Sequence, residues 1–137
     1  MVGEGGRTIG DAWREFPRAY LGTCIPAFPN LFIITGPNTG IGHTSALFII
    51  ESQMRYVMRS IELVRARGKR SISVRGAAED RYTKMIHREM ERTVWKSGGC
   101  KSWYQSDSGH VIAMFPGFSF TFWRLTSEVT ETDHELA

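Results

Sequence analysis

Cysteine, net charge and long apolar runs are all scarce in this chain, and each scarcity excludes a class of protein. The 137 residues include only two cysteines, Cys24 and Cys100, which lie far apart and form no Cys-x-x-Cys pair. We therefore expect no disulfide framework and a reducing, cytoplasmic location. The net charge of +3 is too small to indicate a nucleic-acid-binding protein. No apolar run approaches the ~20 residues of a membrane-spanning helix, and no apolar stretch after Met1 indicates a signal peptide.

Motifs of the common enzyme chemistries are absent as well. The sequence has no Gly-x-Gly-x-x-Gly dinucleotide loop, no Gly-Lys-Ser/Thr phosphate loop and no Gly-x-Ser-x-Gly nucleophile elbow. The histidines have no metal-ligand spacing with one another or with the cysteines. These absences argue against a hydrolase and against a complete dinucleotide-binding domain, and they predict no metal site.

The most informative segment that is present runs from Phe28 to Gln53. Residues Leu31–Thr35 are apolar and lie between two turn signals, which is the pattern of a short buried strand. A glycine-rich turn over residues 36–42 permits close approach of the backbone, and Thr44 or Ser45 can then cap a long helix. This layout directs backbone N–H groups and the positive end of a helix dipole at whatever binds there. Judged from its residue types alone, such a turn has a purely structural role about as often as it binds a ligand.

The residue string itself closely resembles a known family, the class B flavoprotein monooxygenases. This group includes the Baeyer–Villiger monooxygenases of the hydroxyacetophenone type, and the C-terminal end of its FAD domain has the same order of short motifs. The matching residues are Asn30–Leu31–Phe32, Gly36–Pro37–Asn38–Thr39, Gly42–His43–Thr44–Ser45 and Glu51–Ser52–Gln53. The resemblance extends to Asp11–Thr23 upstream and to Cys100–Tyr104 and Phe115–Gly117 downstream, although the family more often has Trp in place of Phe115. It therefore covers nearly the whole chain.

The resemblance implies a fold and a cofactor site. The fold class would be an α+β fragment, the C-terminal end of a Rossmann-like FAD domain with a short strand, a glycine turn and a long helix, followed by a second helix and a short β and aromatic tail. The residues implied to contact the cofactor are Gly36, Pro37, Asn38, Thr39, Gly40, Ile41, Gly42, His43 and Thr44. The amides of Asn38 to Gly42 and the helix N-terminus would stabilise negative charge on the N1–C2=O edge of the flavin, by roughly 0.3–1 kcal/mol for an exposed helix N-terminus.

The resemblance also implies an activity, which is the insertion of one oxygen atom of O2 into a ketone or a heteroatom substrate with NADPH as reductant. Both dinucleotide-binding loops of the family are missing, so FAD and NADPH would be bound mainly by N-terminal domains outside this chain. We therefore expect the isolated chain to be inactive, and no catalytic residue is assigned. The alternative is a stand-alone α+β interaction module that has lost flavin binding and self-associates as a homodimer through exposed apolar surface.

Two sets of residues keep alternative interpretations at this point. His43 is either a hydrogen-bond donor that supports the turn or, less in keeping with its position, a catalyst. Trp103 and Tyr104 either pack in a core or between domains, or they line a substrate pocket.

The chain divides into four predicted segments. These are a flexible N-terminal segment at 1–10, the end of the FAD-binding domain at 11–68 with a strand at 31–35 and a helix at 44–67, a C-terminal extension at 69–127 and a frayed tail at 128–137. In the long helix, apolar residues at three- and four-residue steps share one face, and Gly68 is the predicted C-cap. These apolar residues are Leu47, Ile50, Met54, Val57, Met58, Ile61 and Val64.

The pattern within the C-terminal extension predicts three further elements. Ile72 and Val74 alternate as in a short strand, and a helix is predicted from about Ala78 to Trp95. The buried side of that helix would consist of Tyr82, Met85, Ile86, Met90 and Val94. Alternation of Phe118, Phe120 and Phe122 predicts a strand with one apolar face.

Overall fold

The computed structural model describes residues 1–41, 45–93, 106–107 and 109–137. This part of the chain folds into helices α1 Ile9–Ala12, α2 Ala46–Ala66, α3 Gly76–Met90 and α4 Ser119–Leu125, strands β1 Ile72–Val74 and β2 His134–Leu136, and a 3-10 turn at Glu4–Gly6. The two strands pair antiparallel, and the main core lies between α2, α3, α4 and β1. This mixture of helix and strand confirms the predicted α+β class. None of the helices in the described ranges is long and apolar enough to cross a membrane.

Helix α2 confirms the predicted long helix and the residues that end it. The Ser45 hydroxyl accepts a hydrogen bond from the Leu47 N–H at 3.2 Å, which caps the first turn. At the other end Gly68 has a φ of +63°, and the N–H groups of Gly68 and Lys69 donate to carbonyls of the last turn at 3.1 and 2.9 Å. These two bonds form a Schellman motif, in which glycine is favoured at the left-handed position.

The predicted apolar face of α2 points away from the core of this chain. Its residues Leu47, Met54, Met58 and Ile61 are 67%, 45%, 51% and 41% exposed, and we call these four residues the open stripe. The buried face of α2 lies opposite and consists of Ile49, Ser52, Gln53, Tyr56 and Ser60. Helix α2 thus carries one face that packs within the chain and a second, apolar face that nothing in the described residues covers.

The structure contains no strand at Leu31–Thr35, contrary to the prediction. Asn30, just before this stretch, and Thr35, its last residue, have left-handed φ values of 59° and 52°, so the segment is bent at both ends. Its backbone bonds to separate places, with the Ile33 N–H donating to the Thr23 carbonyl at 2.8 Å. A strand needs a neighbour that offers a continuous ladder of hydrogen bonds, and no described segment does so here.

The C-terminal tail is paired and partly buried, so the predicted fraying does not hold for residues 134–136. They form β2 against β1, and the N–H groups of Arg70 and Ser71 donate to the Ala137 carbonyl at 2.6 and 2.8 Å. Arg81 forms an ion pair with Asp133 at 2.5 Å just before the strand. The polar residues of the tail, which predicted an exposed and frayed end, instead form ion pairs and hydrogen bonds.

His134 joins this C-terminal strand to α2. Its Nδ1 lies 2.7 Å from the Thr130 carbonyl, which can only accept, so Nδ1 carries the proton. Its Nε2 then accepts a hydrogen bond from the Tyr56 hydroxyl. Burial lowers the pKa of His134 below its ordinary value of 6.5, because removal from water disfavours the charged ring more than the hydrogen bond to Thr130 favours it.

Acid is expected to weaken the fold through His134. The unfolded chain binds this proton near pH 6.5 and the folded chain only at lower pH, so the free energy of unfolding decreases as the pH falls below about 6.5. Urea titrations at about pH 7.5 and pH 5.5 measure the change. His134→Gln keeps an acceptor for Tyr56 but does not titrate, so its stability should depend less on pH. Identical pH dependence in the two proteins would contradict this role.

Helix α3 confirms the second predicted helix but ends at Met90. Tyr82, Ile86 and Met90 are buried as predicted, and Met85 is half-buried. The predicted continuation is wrong for residues 91–93, which are not helical, while Val94 and Trp95 lie outside the described residues.

The predicted strand at Phe118–Phe122 is instead helix α4. Phe122 is completely buried, whereas Phe118 and Phe120 are 73% and 65% exposed. Residues two positions apart share a face in a strand but lie on different faces of a helix, which explains the difference. Arg55 holds α4 against α2, since it donates to the Trp123 carbonyl at 2.5 Å and its guanidinium lies 4.3 Å from the centroid of the Trp123 ring.

Residues 1–10 have a hydrogen-bonded conformation. The Glu4 N–H donates to the Ala27 carbonyl at 2.8 Å, and Thr8 and Asp11 form a capping box at the start of α1. Flexibility of this segment stays a prediction.

Candidate functional site

The glycine turn lies against a second segment of the chain, residues 111–115. The Asn38 N–H donates to the Ile112 carbonyl at 2.7 Å, and the Gly40 N–H donates to the Ala113 carbonyl at 2.8 Å. The buried side chain of Asn38 donates to two further carbonyls of the same segment at 2.7 and 2.9 Å. The amides of Asn38 and Gly40 therefore support the turn itself, contrary to the prediction that they donate to a cofactor.

Tight backbone contact explains the glycines and the Pro-Asn pair of the turn. Asn38 has a φ of 56°, as the third position of a type II turn requires, and Pro37 fits the second position. A Cβ atom on Gly36 would lie 2.3 Å from the carbonyl oxygen of Gly22, and one on Gly22 would lie 2.2 Å from the Thr39 side chain. Neither glycine has space for a side chain, so the turn rests directly on residue 22.

Gln53 of α2 positions the chain that leads into the turn. Its fully buried side-chain amide donates to the Thr23 hydroxyl at 2.9 Å and to the Gly22 carbonyl at 3.1 Å, and it accepts from the Thr35 N–H at 2.8 Å. Replacing this amide would leave buried backbone groups unpaired. Sequence analysis identified Gln53 and Gly22 only as parts of stretches that resemble the family, and it missed their roles, because both act through contacts that are remote along the chain.

A cavity of about 350 Å³ opens between the turn and the start of α2. The residues that line it include Gly36, Thr39, Gly40 and Ile41 of the turn and Ser45, Ala46 and Ile49 of the helix. The N–H of Ile41 has no hydrogen-bond partner within the described residues. The α2 N-terminus adds the positive end of its dipole at the same place. Mostly apolar walls, backbone N–H groups such as that of Ile41 that have no partner among the described residues, and a helix N-terminus suit a flat ring with a partly negative edge.

Four of the predicted cofactor residues line this cavity, namely Gly36, Thr39, Gly40 and Ile41, whereas Pro37 and Asn38 of the same turn do not. Gly42, His43 and Thr44 lie outside the described residues, as do Cys100, Trp103 and Tyr104. Their predicted roles stay predictions.

Neither Cys24 nor a cluster of metal-binding side chains forms a second site within the described ranges. Burial raises the pKa of the Cys24 thiol to about 12, so it remains protonated at neutral pH. Among the described residues, no three His, Cys, Asp or Glu side chains form a group that could hold a metal ion.

Comparison with known proteins identifies similar chains. No family model matches this chain. A Baeyer–Villiger monooxygenase of Pseudomonas aeruginosa is 41% identical over 137 residues, which cover 99% of this chain and 26% of that protein. An FAD-binding monooxygenase of Aspergillus terreus is 36% identical over 121 residues, which cover 85% of this chain and 21% of that protein.

A solved structure has the same fold over a matching segment. An oxidized steroid monooxygenase bound to NADP matches with a TM-score of 0.83 at 29% identity, over 98% of this chain and 26% of that chain. This chain spans about a quarter of the length of the relatives it matches.

Proposed function

Because this chain is homologous to part of the Baeyer–Villiger and FAD-binding monooxygenases, we propose that it forms one wall of the flavin site in such an enzyme. It would be the C-terminal portion of a class B flavoprotein monooxygenase that acts on a ketone or a heteroatom substrate. The observation that carries the proposal is the cavity between the glycine turn and α2. It combines backbone that approaches closely, an Ile41 N–H that has no partner in the described part of the chain, and a helix N-terminus.

The residues of the cavity fit the pyrimidine edge of a flavin. When bound, FAD reduced by NADPH would supply the activation of O2. The Ile41 N–H would donate to a carbonyl of the ring, and the α2 dipole would favour negative charge there. Ile49 and Ala46 would exclude water from one side of the ring. The phosphates of FAD and the whole of NADPH would be held by other domains, since the sequence contains neither dinucleotide loop.

The open stripe would be the surface on which those domains pack. Its four apolar side chains lie on the face of α2 opposite the core of this chain. Contiguous exposed apolar surface favours association with another protein surface. Partners of this kind would be the FAD- and NADPH-binding domains.

A chimeric enzyme tests the proposal. We expect a chimera in which this chain replaces the matching segment of the Pseudomonas aeruginosa relative to bind FAD and to consume NADPH when a ketone is added, whereas the isolated chain shows no turnover. In the chimera, Ala46→Trp should fill the cavity, and overpacking of about 1–3 kcal/mol would weaken FAD binding roughly 5- to 150-fold. Ala66→Trp, the same exchange at the exposed far end of α2, should have no effect. Flavin absorbance and NADPH oxidation are the two measurements.

A folded but colourless chimera would contradict the flavin proposal and favour the alternative, a self-associating interaction module. The observation that favours this alternative is the open stripe together with the exposed Phe118 and Phe120. A homodimer of the isolated chain that persists on dilution in sedimentation experiments, without affinity for FAD, would support it.

A further inference from the structure

A second concavity lies along the flank of α3, and it shares no lining residue with the cavity at the glycine turn. It measures about 720 Å³, which is within the range of small-molecule sites. Its apolar lining includes Leu21, Ala78, Tyr82, Met85 and Leu125. We call this concavity the α3 groove.

Three cations of α3 also line the groove, and their surroundings differ. Arg81 is engaged by Asp133 at 2.5 Å, and Asp133 also accepts a hydrogen bond from Tyr20 at 3.0 Å. Lys84 has no carboxylate within ion-pair distance among the described residues. Arg88 has only the adjacent Glu89 at 3.7 Å, with both side chains exposed. Two of the three positive charges are therefore poorly compensated.

Charge divides the groove into two ends. The negative Asp133 lies at the end beside Tyr20 and Arg81, while Lys84 and Arg88 lie one turn apart farther along the helix. A carboxylate is repelled at the first end and attracted at the second, and an aliphatic chain removes the apolar lining from water. The second carboxylate of the lining, Asp80, forms an ion pair with Arg18 at 3.1 Å.

We infer that the α3 groove binds an amphipathic carboxylate, with its aliphatic chain on the apolar lining and its head group at Lys84 and Arg88. The inference does not depend on flavin binding. Binding needs both parts of the ligand, because the head group is attracted by the two cations and the aliphatic chain covers the apolar lining.

Calorimetric titration of the complete 137-residue chain with three probes tests the inference. Decanoate has both the chain and the charge, decanol has only the chain, and acetate has only the charge. We expect saturable binding of decanoate at one site, binding of decanol weaker by about tenfold, and no binding of acetate. Failure of decanoate to bind, or equal binding of decanol, would overturn the inference.

A matched pair of double variants locates the site. Lys84→Glu with Arg88→Glu should weaken decanoate binding by about tenfold, since two attractive contacts become repulsive. Arg65→Glu with Lys69→Glu makes the same change in net charge at the same spacing near the end of α2 and should leave binding unchanged. All four side chains are exposed, so circular dichroism should show native helix content in both variants. Decanoate binding that survives the Lys84 and Arg88 changes would place the ligand elsewhere, such as on the open stripe, and would refute the assignment.

Discussion

Phe122→Ala is expected to lower the free energy of unfolding by about 3–5 kcal/mol, which is the range for loss of a fully buried phenylalanine. The Phe122 ring is completely buried in the main core and meets the Phe115 ring edge-on, with centroids 5.2 Å apart. Its removal leaves a cavity between α2 and α4 that the surrounding side chains can fill only in part. Urea denaturation followed by circular dichroism measures the loss.

Phe120→Ala is the matched control, because it makes the same change two residues earlier in the same helix. Phe120 is 65% exposed and its main contact is a stack on the Trp123 ring, with centroids 5.8 Å apart, so the free energy of unfolding of Phe120→Ala should decrease by at most about 1.5 kcal/mol. The comparison also separates helix from strand. In a strand, Phe118, Phe120 and Phe122 would share one face and the two variants would lose similar stability; such a result would contradict helix α4.

Gly22→Ala is expected to displace the glycine turn and to lower the free energy of unfolding by about 2–5 kcal/mol. This decrease is the sum of two separate effects. The left-handed φ of +60° at residue 22 costs an alanine about 1–2 kcal/mol. The added Cβ would also lie 2.2 Å from the Thr39 side chain and 2.8 Å from the Pro37 carbonyl, and such overpacking costs about 1–3 kcal/mol. Faster hydrogen exchange at the Asn38 and Gly40 amides would report that the turn has separated from residues 111–115.

Gly68→Ala isolates the first of these effects. Residue 68 has a nearly identical φ of +63°, but an added Cβ would meet no atom within 4 Å. The free energy of unfolding of Gly68→Ala should therefore decrease by only about 1–2 kcal/mol, and hydrogen exchange at the glycine turn should not change. Equal losses in the two variants would mean that the contact between Gly22 and the turn contributes nothing to stability.

Local signals in the sequence were sufficient for the parts of the fold that depend on short-range physics. Ser45 and Gly68 end α2 through hydrogen bonds within one helical turn, so the residues themselves identify both ends. Tyr82, Ile86 and Met90 repeat at the helical period and are buried in α3. The family resemblance also rested on short motifs, and it is confirmed by a relative that matches 99% of the chain.

Other features depended on which segments meet across the fold. Periodicity groups Leu47, Met54, Met58 and Ile61 on one face of α2, but it cannot say whether this chain or another surface covers that face. The alternating phenylalanines of residues 118–122 fit a strand until their neighbours are known. Polar residues 128–137 indicated a frayed end, although β1 provides a pairing edge and Tyr56 provides a partner for His134.

The candidate site shows the same division. The sequence by itself determined the glycine turn, the helix start and the family to which the turn is related, because these are encoded in contiguous residues. Only the tertiary structure showed that residues 111–115 use the Asn38 and Gly40 amides, that Gly22 supports the turn and that Gln53 secures its approach. The physical reason is that hydrogen bonds and close packing between remote segments leave no periodic or local pattern in the chain that makes them.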